Sequence, residues 1–458
     1  MEMNKPSGCA DPDTIPVPNP EPGAPCRVDR RGLIRSVGAL LLRTASAAAL
    51  TASAFGCGES SESVPLPPAG RPDDGIPTEG YIRLAFNESP YGPPPDALTA
   101  IDAMLARPYA MESAATHFLP GINRYPDFLN TDLTSGIAVF HGVRTANVIP
   151  CCGISELLYM CSQAFLGERR GLVMTDGTFP LLRHYASGRG VRITAIPPTQ
   201  DYQVDLDGLL DAVTPETGLI YIANPDSPTG TLHSLAEITG FVEAAAARNS
   251  QVVVFLDEAY MDYVLLDPLP EALSLVSQHP VVIGRTFSKA YGMAGVRGGY
   301  AVARDDLVLA LNGALSGYFG GPTGWRMFEG NLNRLATAAI LGSLSPSSQT
   351  FVDQVRQGNA EMRQLLAAGL LSLGYAPLES HTNFLMVKIG TDGERMRNWL
   401  GNRNILIQAG GSFHPRYKEW VRVSIGNREE IETLLDTLPD FDPASQSPAC
   451  FPVFYMGI

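Results

Sequence analysis

The chain has 458 residues, 45% of them hydrophobic, enough for two or three domains around a sizeable buried core. Against 33 lysines and arginines stand 47 aspartates and glutamates, a formal charge of −14, which argues against nucleic acid as a partner because phosphate binding needs a positive surface. The 7 cysteines form no CxxC pair, Cys151 and Cys152 sit at the end of an apolar run, and the 7 histidines are scattered, so no metal site is expected.

Residues 1–27 are rich in proline and poor in aromatics, a composition that predicts disorder. Arg30 and Arg31 follow, then Gly32, Leu33, Ile34 and Arg35, and an apolar run of Leu, Ala, Ser and Thr ending in "TASAFGCGES". The order basic, apolar, small is that of an export signal, and Arg43 leaves the run too short to span a bilayer comfortably. The stretch resembles twin-arginine signal peptides, and "AFGC" resembles a lipoprotein box. That resemblance implies an export region over 1–56, acylation at Cys57, a flexible tether over 57–80, and a location outside the cytoplasm on the membrane surface.

From Tyr81 onward apolar runs alternate with helical patterns. "GLVMTD", "VRITAIPP", "GLIYIANP", "VVVFLDEAY", "VVIGRTFSK" and "GGYAVA" read as strands, several apolar enough to be buried on both faces, which predicts an α/β protein with a mostly parallel sheet covered by helices. "SLAEITGFVEAAAARN" has helical spacing, with Ser234 as N-cap and Glu237 placed for a capping box. After about residue 346 the pattern changes to a long helix, "HTNFLMVKI", "ILIQA", "WVRVSIG" and a last helix "REEIETLLDTL", a smaller α+β domain over 346–438. An N-terminal arm over 81–124 precedes the large domain over 125–345, and the tail 439–458 shows no period.

Three motifs carry chemistry. "GRTFSKAYGMAGVRGGY" follows a strand and places an amine, Lys289, beside the anion-binding donors Ser288 and Arg297. In "VVVFLDEAYMDY", Asp257 ends a buried strand and needs a cationic or hydrogen-bonded partner, with Tyr260 three residues on. "ANPDSPTG" is a turn-rich loop after the strand "GLIYI". Singly these are weak; in this order they resemble fold type I pyridoxal-phosphate enzymes, in particular the histidinol-phosphate aminotransferase-like branch. The resemblance runs from about Arg83 to Leu438, beginning with "FNESPYGPPP" and "NRYPD".

That resemblance implies roles. Pyridoxal 5'-phosphate would be held by Lys289 as a Schiff base, and Lys289 would later move the proton at the substrate α-carbon. Asp257 would pair with the pyridine nitrogen and Tyr260 donate to the ring 3′-oxygen. Ser288, Arg297 and backbone N–H groups of Gly153, Ile154 and Ser155 would bind the phosphate, and Phe179 would stack on the ring. Arg422 would grip the substrate carboxylate, with Asn383, Tyr91 and Gln408 near it. Tyr125 matches a tyrosine that reaches the neighbouring subunit's cofactor, which implies a homodimer.

The pattern departs from the family at Ser227, where Asn normally donates to the 3′-oxygen, at Ile154 and Ser155 in the phosphate loop, and at Gln408, where histidinol-phosphate enzymes usually carry Arg. The leading expectation is an aminotransferase acting on an α-amino acid or amine and a 2-oxo acid, not on histidinol phosphate. Decarboxylation, elimination or oxidation on the same fold is the alternative, and a non-catalytic exported binding lipoprotein a third reading.

Overall fold

The computed structural model describes residues 80–106, 122, 131–266, 269, 271–316 and 332–444. The export segment, Cys57, the tether and Tyr125 lie outside the described residues.

In chain order the strands are β1 (Ile82–Arg83), β2 (Val148–Cys151), β3 (Gly171–Thr175), β4 (Ile193–Ile196), β5 (Thr217–Ala223), β6 (Val253–Asp257), β7 (Val281–Thr286), β8 (Gly299–Ala303), β9 (Ala376–Pro377), β10 (Phe384–Lys388), β11 (Ile405–Leu406), β12 (Gln408–Ala409) and β13 (Trp420–Ser424). Seven of them form one sheet in the order β2-β8-β7-β6-β5-β3-β4. Neighbours run parallel from β4 across to β7, while β8 is antiparallel to both β7 and β2. All six runs read as strands are present; β2 is an additional one, since its four residues give no alternation to read.

The apolar runs have a physical reason. Side chains alternate between faces along a strand, and here both faces are buried. Ile220, Ile222, Val254, Leu256, Val281 and Ile283 enter one core, while Leu219, Tyr221, Val253, Phe255, Val282 and Ala301 enter a second on the other side. The helix Leu235–Arg248 covers the first face with Ile238, Phe241, Val242 and Ala245, and its Ser234–Glu237 capping box is formed in both directions. The helix Ile154–Phe165 covers the second with Leu157, Leu158 and Cys161.

The C-terminal region builds a four-stranded antiparallel sheet in the order β12-β13-β10-β9. Its own core joins Leu385, Val387, Val421 and Val423 to Leu366 and Leu370 of the helix Pro346–Ser372 and to Ile431 and Leu434 of the helix Arg428–Thr437. The run "ILIQA" divides: Ile405 and Leu406 pair in parallel with Ile82 and Arg83, and only Gln408 and Ala409 join β13. By the same two-residue period, Phe384 on β10 and Arg422 and Ser424 on β13 point away from this core, and Phe384 packs into the first core of the large sheet. Thus the segment after β1, the ends of β5 to β7 and the outer face of β13 converge.

Candidate active site

Asp257 is the last residue of β6, on the sheet face shared by Tyr221 and Phe255. Register sets Ala223 opposite Asp257 and Tyr221 opposite Phe255, with the two rings stacked at 5.8 Å between centroids. From there the Tyr221 hydroxyl donates to Asp257 Oδ2 at 2.9 Å, and the Ala259 amide donates to Oδ1 at 3.1 Å. Burial raises the Asp257 pKa to about 6; Asp226 pushes the same way, and the Tyr221 hydroxyl, the Ala259 amide and Lys289 oppose it. A carboxylate held against that desolvation is stabilised by a protonated ring nitrogen.

Lys289 lies in the turn after β7. Its Nζ donates to the carbonyls of Phe86 and Asn87 at 3.3 Å each and stands 5.6 Å from the Tyr260 ring centroid. Tyr260 is buried, packs edge-on against Phe384, and accepts a hydrogen bond from Asn87 Nδ2 at 2.8 Å. Lys289, Asp257 and Tyr260 are therefore brought to one place from three elements.

A cradle adjoins them. Gly153 precedes the helix Ile154–Phe165 with φ 76°, a conformation few side chains adopt, and a Cβ there would stand 2.8 Å from Arg297 Nη2. Arg297 Nη1 donates to the Ala294 carbonyl at 3.0 Å and lies 3.4 Å from Ser288 Oγ. A guanidinium, a hydroxyl and the N-terminal amides of Ile154 and Ser155 thus face one spot, a donor set suited to a phosphate. Together with a buried strand-end carboxylate and a lysine, it fits pyridoxal 5'-phosphate. Cys152 departs from a pure donor loop, since its amide is taken by Glu156 Oε2 at 2.6 Å.

On the opposite side Arg422 is buried, with Nη2 donating to the Ala85 carbonyl at 3.0 Å and its guanidinium between the rings of Phe384 at 5.3 Å and Phe413 at 4.6 Å. Its Nε is buried without a partner among the described residues. Burial lowers its pKa to about 10, with Tyr260 opposing. Asn383 donates to the carbonyls of Asn87 at 2.9 Å and Glu88 at 3.3 Å, while its own Oδ1 is buried and unpartnered. Gln408 is buried at the register position beside Arg422.

Phe179 and Ser227 belong to linked loops. Thr178 donates to Asp226 Oδ1 at 2.7 Å and lies 3.3 Å from the Ser227 carbonyl, and Phe179 packs against the core that contains Phe255. Tyr91 sits apart at 36% exposure, its hydroxyl 2.9 Å from where a Cβ on Gly358 would be. The cavity of about 490 Å³ lined by Gly171, Arg192 and Glu216 is at the other end of β3 and β5 and has no part in this site.

Sequence reasoning passed over Tyr221, hidden in an apolar run, Phe413, and Asn87 and Ser424, which lie within the quoted stretches "FNESPYGPPP" and "WVRVSIG" but were given no role. Position in the strand register would have found Tyr221, two residues before the strand end that faces Asp257.

With this geometry in place, comparison with known proteins is decisive. Residues 79–438 match the aminotransferase class I and II family. The chain belongs to that family. It is 32% identical over 359 residues to a histidinol-phosphate aminotransferase of Moorella thermoacetica, covering 78% of this chain and 84% of that one. A second relative of the same name, from Anoxybacillus flavithermus, is 30% identical over 361 residues, covering 79% and 88%. Among solved structures, the histidinol-phosphate aminotransferase of Sinorhizobium meliloti in complex with pyridoxal-5'-phosphate has a TM-score of 0.67 at 28% identity, covering 78% of this chain and 89% of that one. The aspartate aminotransferase of Thermus thermophilus with maleate shares the fold at a TM-score of 0.63 and 20% identity, covering 78% and 90%. The protein is a pyridoxal-phosphate-dependent aminotransferase.

Proposed function

We propose that this aminotransferase moves an amino group between an α-amino acid and a 2-oxo acid, and that histidinol phosphate is not its preferred substrate. The bound cofactor supplies an electron sink for the α-carbanion. Lys289 would be the base that takes the proton from the substrate α-carbon and delivers it to the cofactor's C4′, Asp257 would keep the ring nitrogen protonated, and Arg422 would fix the carboxylate so that the α-carbon faces Lys289. One observation carries the substrate reading: across the β12–β13 pair, the buried Arg422 has the neutral Gln408 as its neighbour. A carboxylate is matched by one guanidinium; the dianionic phosphate that histidinol phosphate carries in place of a carboxylate gains no second charge-assisted contact from an amide. The test is a panel of amino donors and 2-oxo acids with the cofactor-loaded full chain. Bleaching of the cofactor absorbance by unphosphorylated amino acids and its recovery with 2-oxo acids is expected, and faster turnover of histidinol phosphate would overturn the substrate reading.

A second reading rests on Ser227. Its hydroxyl is shorter than the Asn that the family carries and can accept as well as donate, which favours a different outcome at the α-carbon; carbon dioxide release or oxygen incorporation in the same assays would establish it.

The order of charges around Arg30 and Arg31 supports export of a folded, cofactor-loaded enzyme and tethering through Cys57, and Tyr125 supports a homodimer with shared sites. Lysines in place of Arg30 and Arg31 should retain the loaded protein in the cytoplasm, and continued export refutes this placement. Sedimentation at the mass of a single chain would count against the dimer.

A further inference from the structure

The polarity of one hydrogen-bond chain leads beyond the family resemblance. The backbone amide of Asn87 donates to Ser424 Oγ at 2.8 Å, so the single proton of that hydroxyl goes elsewhere, and it lies 3.0 Å from Asn87 Oδ1. The Asn87 side chain therefore presents its carbonyl to Ser424 and its NH2 to Tyr260, whose oxygen accepts at 2.8 Å. A phenol oxygen that accepts from an amide keeps its own proton free for another acceptor, and Lys289 Nζ stands 5.6 Å from the ring on which that hydroxyl sits. Asn87 is 2% exposed, with φ 56° in the region Asn tolerates better than most residues, and its backbone carbonyl accepts from Lys289 and Asn383.

We propose that Asn87 is a positioning residue for this reaction: oriented by Ser424, it holds Tyr260 as a hydrogen-bond donor toward the cofactor's ring oxygen. The inference rests on the cofactor reading above and not on the choice of substrate.

The consequence is a shift in the pH midpoint of the bound cofactor's visible absorbance. A donor on the ring oxygen competes with the neighbouring imine proton for that oxygen, so losing the donor lets the proton be held more tightly and raises the midpoint. The charged and titratable groups facing Tyr260 are Lys289, Arg422, Tyr221 and Tyr263, with Asp257 and Asp226 behind Tyr221; Glu88, beside Asn87, is paired with Arg83 at 3.0 Å.

The experiment titrates the absorbance of the cofactor-loaded full chain without substrate. Asn87→Asp offers Tyr260 an acceptor in place of a donor and should raise the midpoint by about one pH unit, tenfold in proton affinity. Ser424→Ala, which adds no charge and frees the amide to turn over, should raise it by about half as much. In a Tyr260→Phe background, itself raised, neither should add a further rise. Equal rises in both backgrounds would show a direct charge effect and overturn the proposal, as would an unmoved midpoint in both variants. If Asn87→Asp does not load cofactor, the Ser424→Ala comparison decides alone. Failure of the unsubstituted enzyme to react with amino acids would sink the substrate reading and leave these midpoints untouched.

Discussion

Arg285 and Arg422 are each 2% exposed, and they sit in opposite surroundings. Arg285, on β7, donates from Nε to Glu258 Oε2 at 2.8 Å and lies 3.4 Å from both Asp262 and Glu271; those carboxylates more than offset burial and raise its pKa. Arg422 has a carbonyl and two aromatic faces but, among the described residues, no carboxylate, and burial lowers its pKa to about 10. A buried cation without a counter-ion costs free energy that packing alone does not recover. The charge of the first arginine is balanced within the fold, whereas that of the second calls for an anion from outside, the role proposed above for a substrate carboxylate.

The sharpest way to break this contrast is to remove both in turn. Arg285→Leu strands three carboxylates around one buried site and should cost about 3 to 5 kcal/mol of stability in urea unfolding. Arg422→Leu leaves no unpaired charge, so stability should hold or rise, while kcat/KM for α-amino acids falls by about a thousandfold through loss of a charge-assisted pair. Lysine at 422 should not restore it, because one ammonium does not reproduce the two-pronged contact. A comparable stability loss from both leucine variants would mean that Arg422 is also structural.

Asp257 extends the comparison to the cofactor side. Its folded pKa of about 6 lies above the usual 3.8, so the cofactor-free fold favours the protonated carboxyl. Stability from this group is fully present below pH 3.8 and is lost as pH rises through 6, leaving a penalty of about 3 kcal/mol at neutral pH. Asp257→Asn should accordingly stabilise the cofactor-free protein by about that amount at pH 7.5 and by little at pH 4, while abolishing turnover. A gain independent of pH would show that burial of the charge is not the cause.

The sequence was most informative where chemistry and strand ends coincide. The runs "VVVFLDEAY" and "VVIGRTFSK" state both a buried strand and the polar residue at or just past its end, so Asp257 and Lys289 were legible with their elements. The substrate side was less so. Arg422 and Gln408 face each other through the antiparallel register of β12 and β13, which join across the irregular segment between Gly410 and Glu419, and Asn87 acquires its partners from Ser424 and Asn383, each almost 300 residues or more away. Long-range pairing of this kind leaves no period in a short window. β2 was missed for the same reason, since its pairing with β8 is set by tertiary context.

The smallest of these effects concerns specificity. Gln408→Arg should add a cation beside Arg422 on the buried β12–β13 pair. Two neighbouring guanidiniums repel, so the unliganded variant should be less stable by about 1 kcal/mol. A dianionic phosphate offsets that repulsion and a single carboxylate does so less well, so kcat/KM for histidinol phosphate should rise about tenfold while that for unphosphorylated amino acids stays level or falls. A rise for both substrate classes, or for neither, would show that position 408 does not read the charge of the anionic group beside Arg422. The neutral amide would then be a packing choice, and discrimination would lie with residues on the other wall of the site, near Phe86 and Phe413.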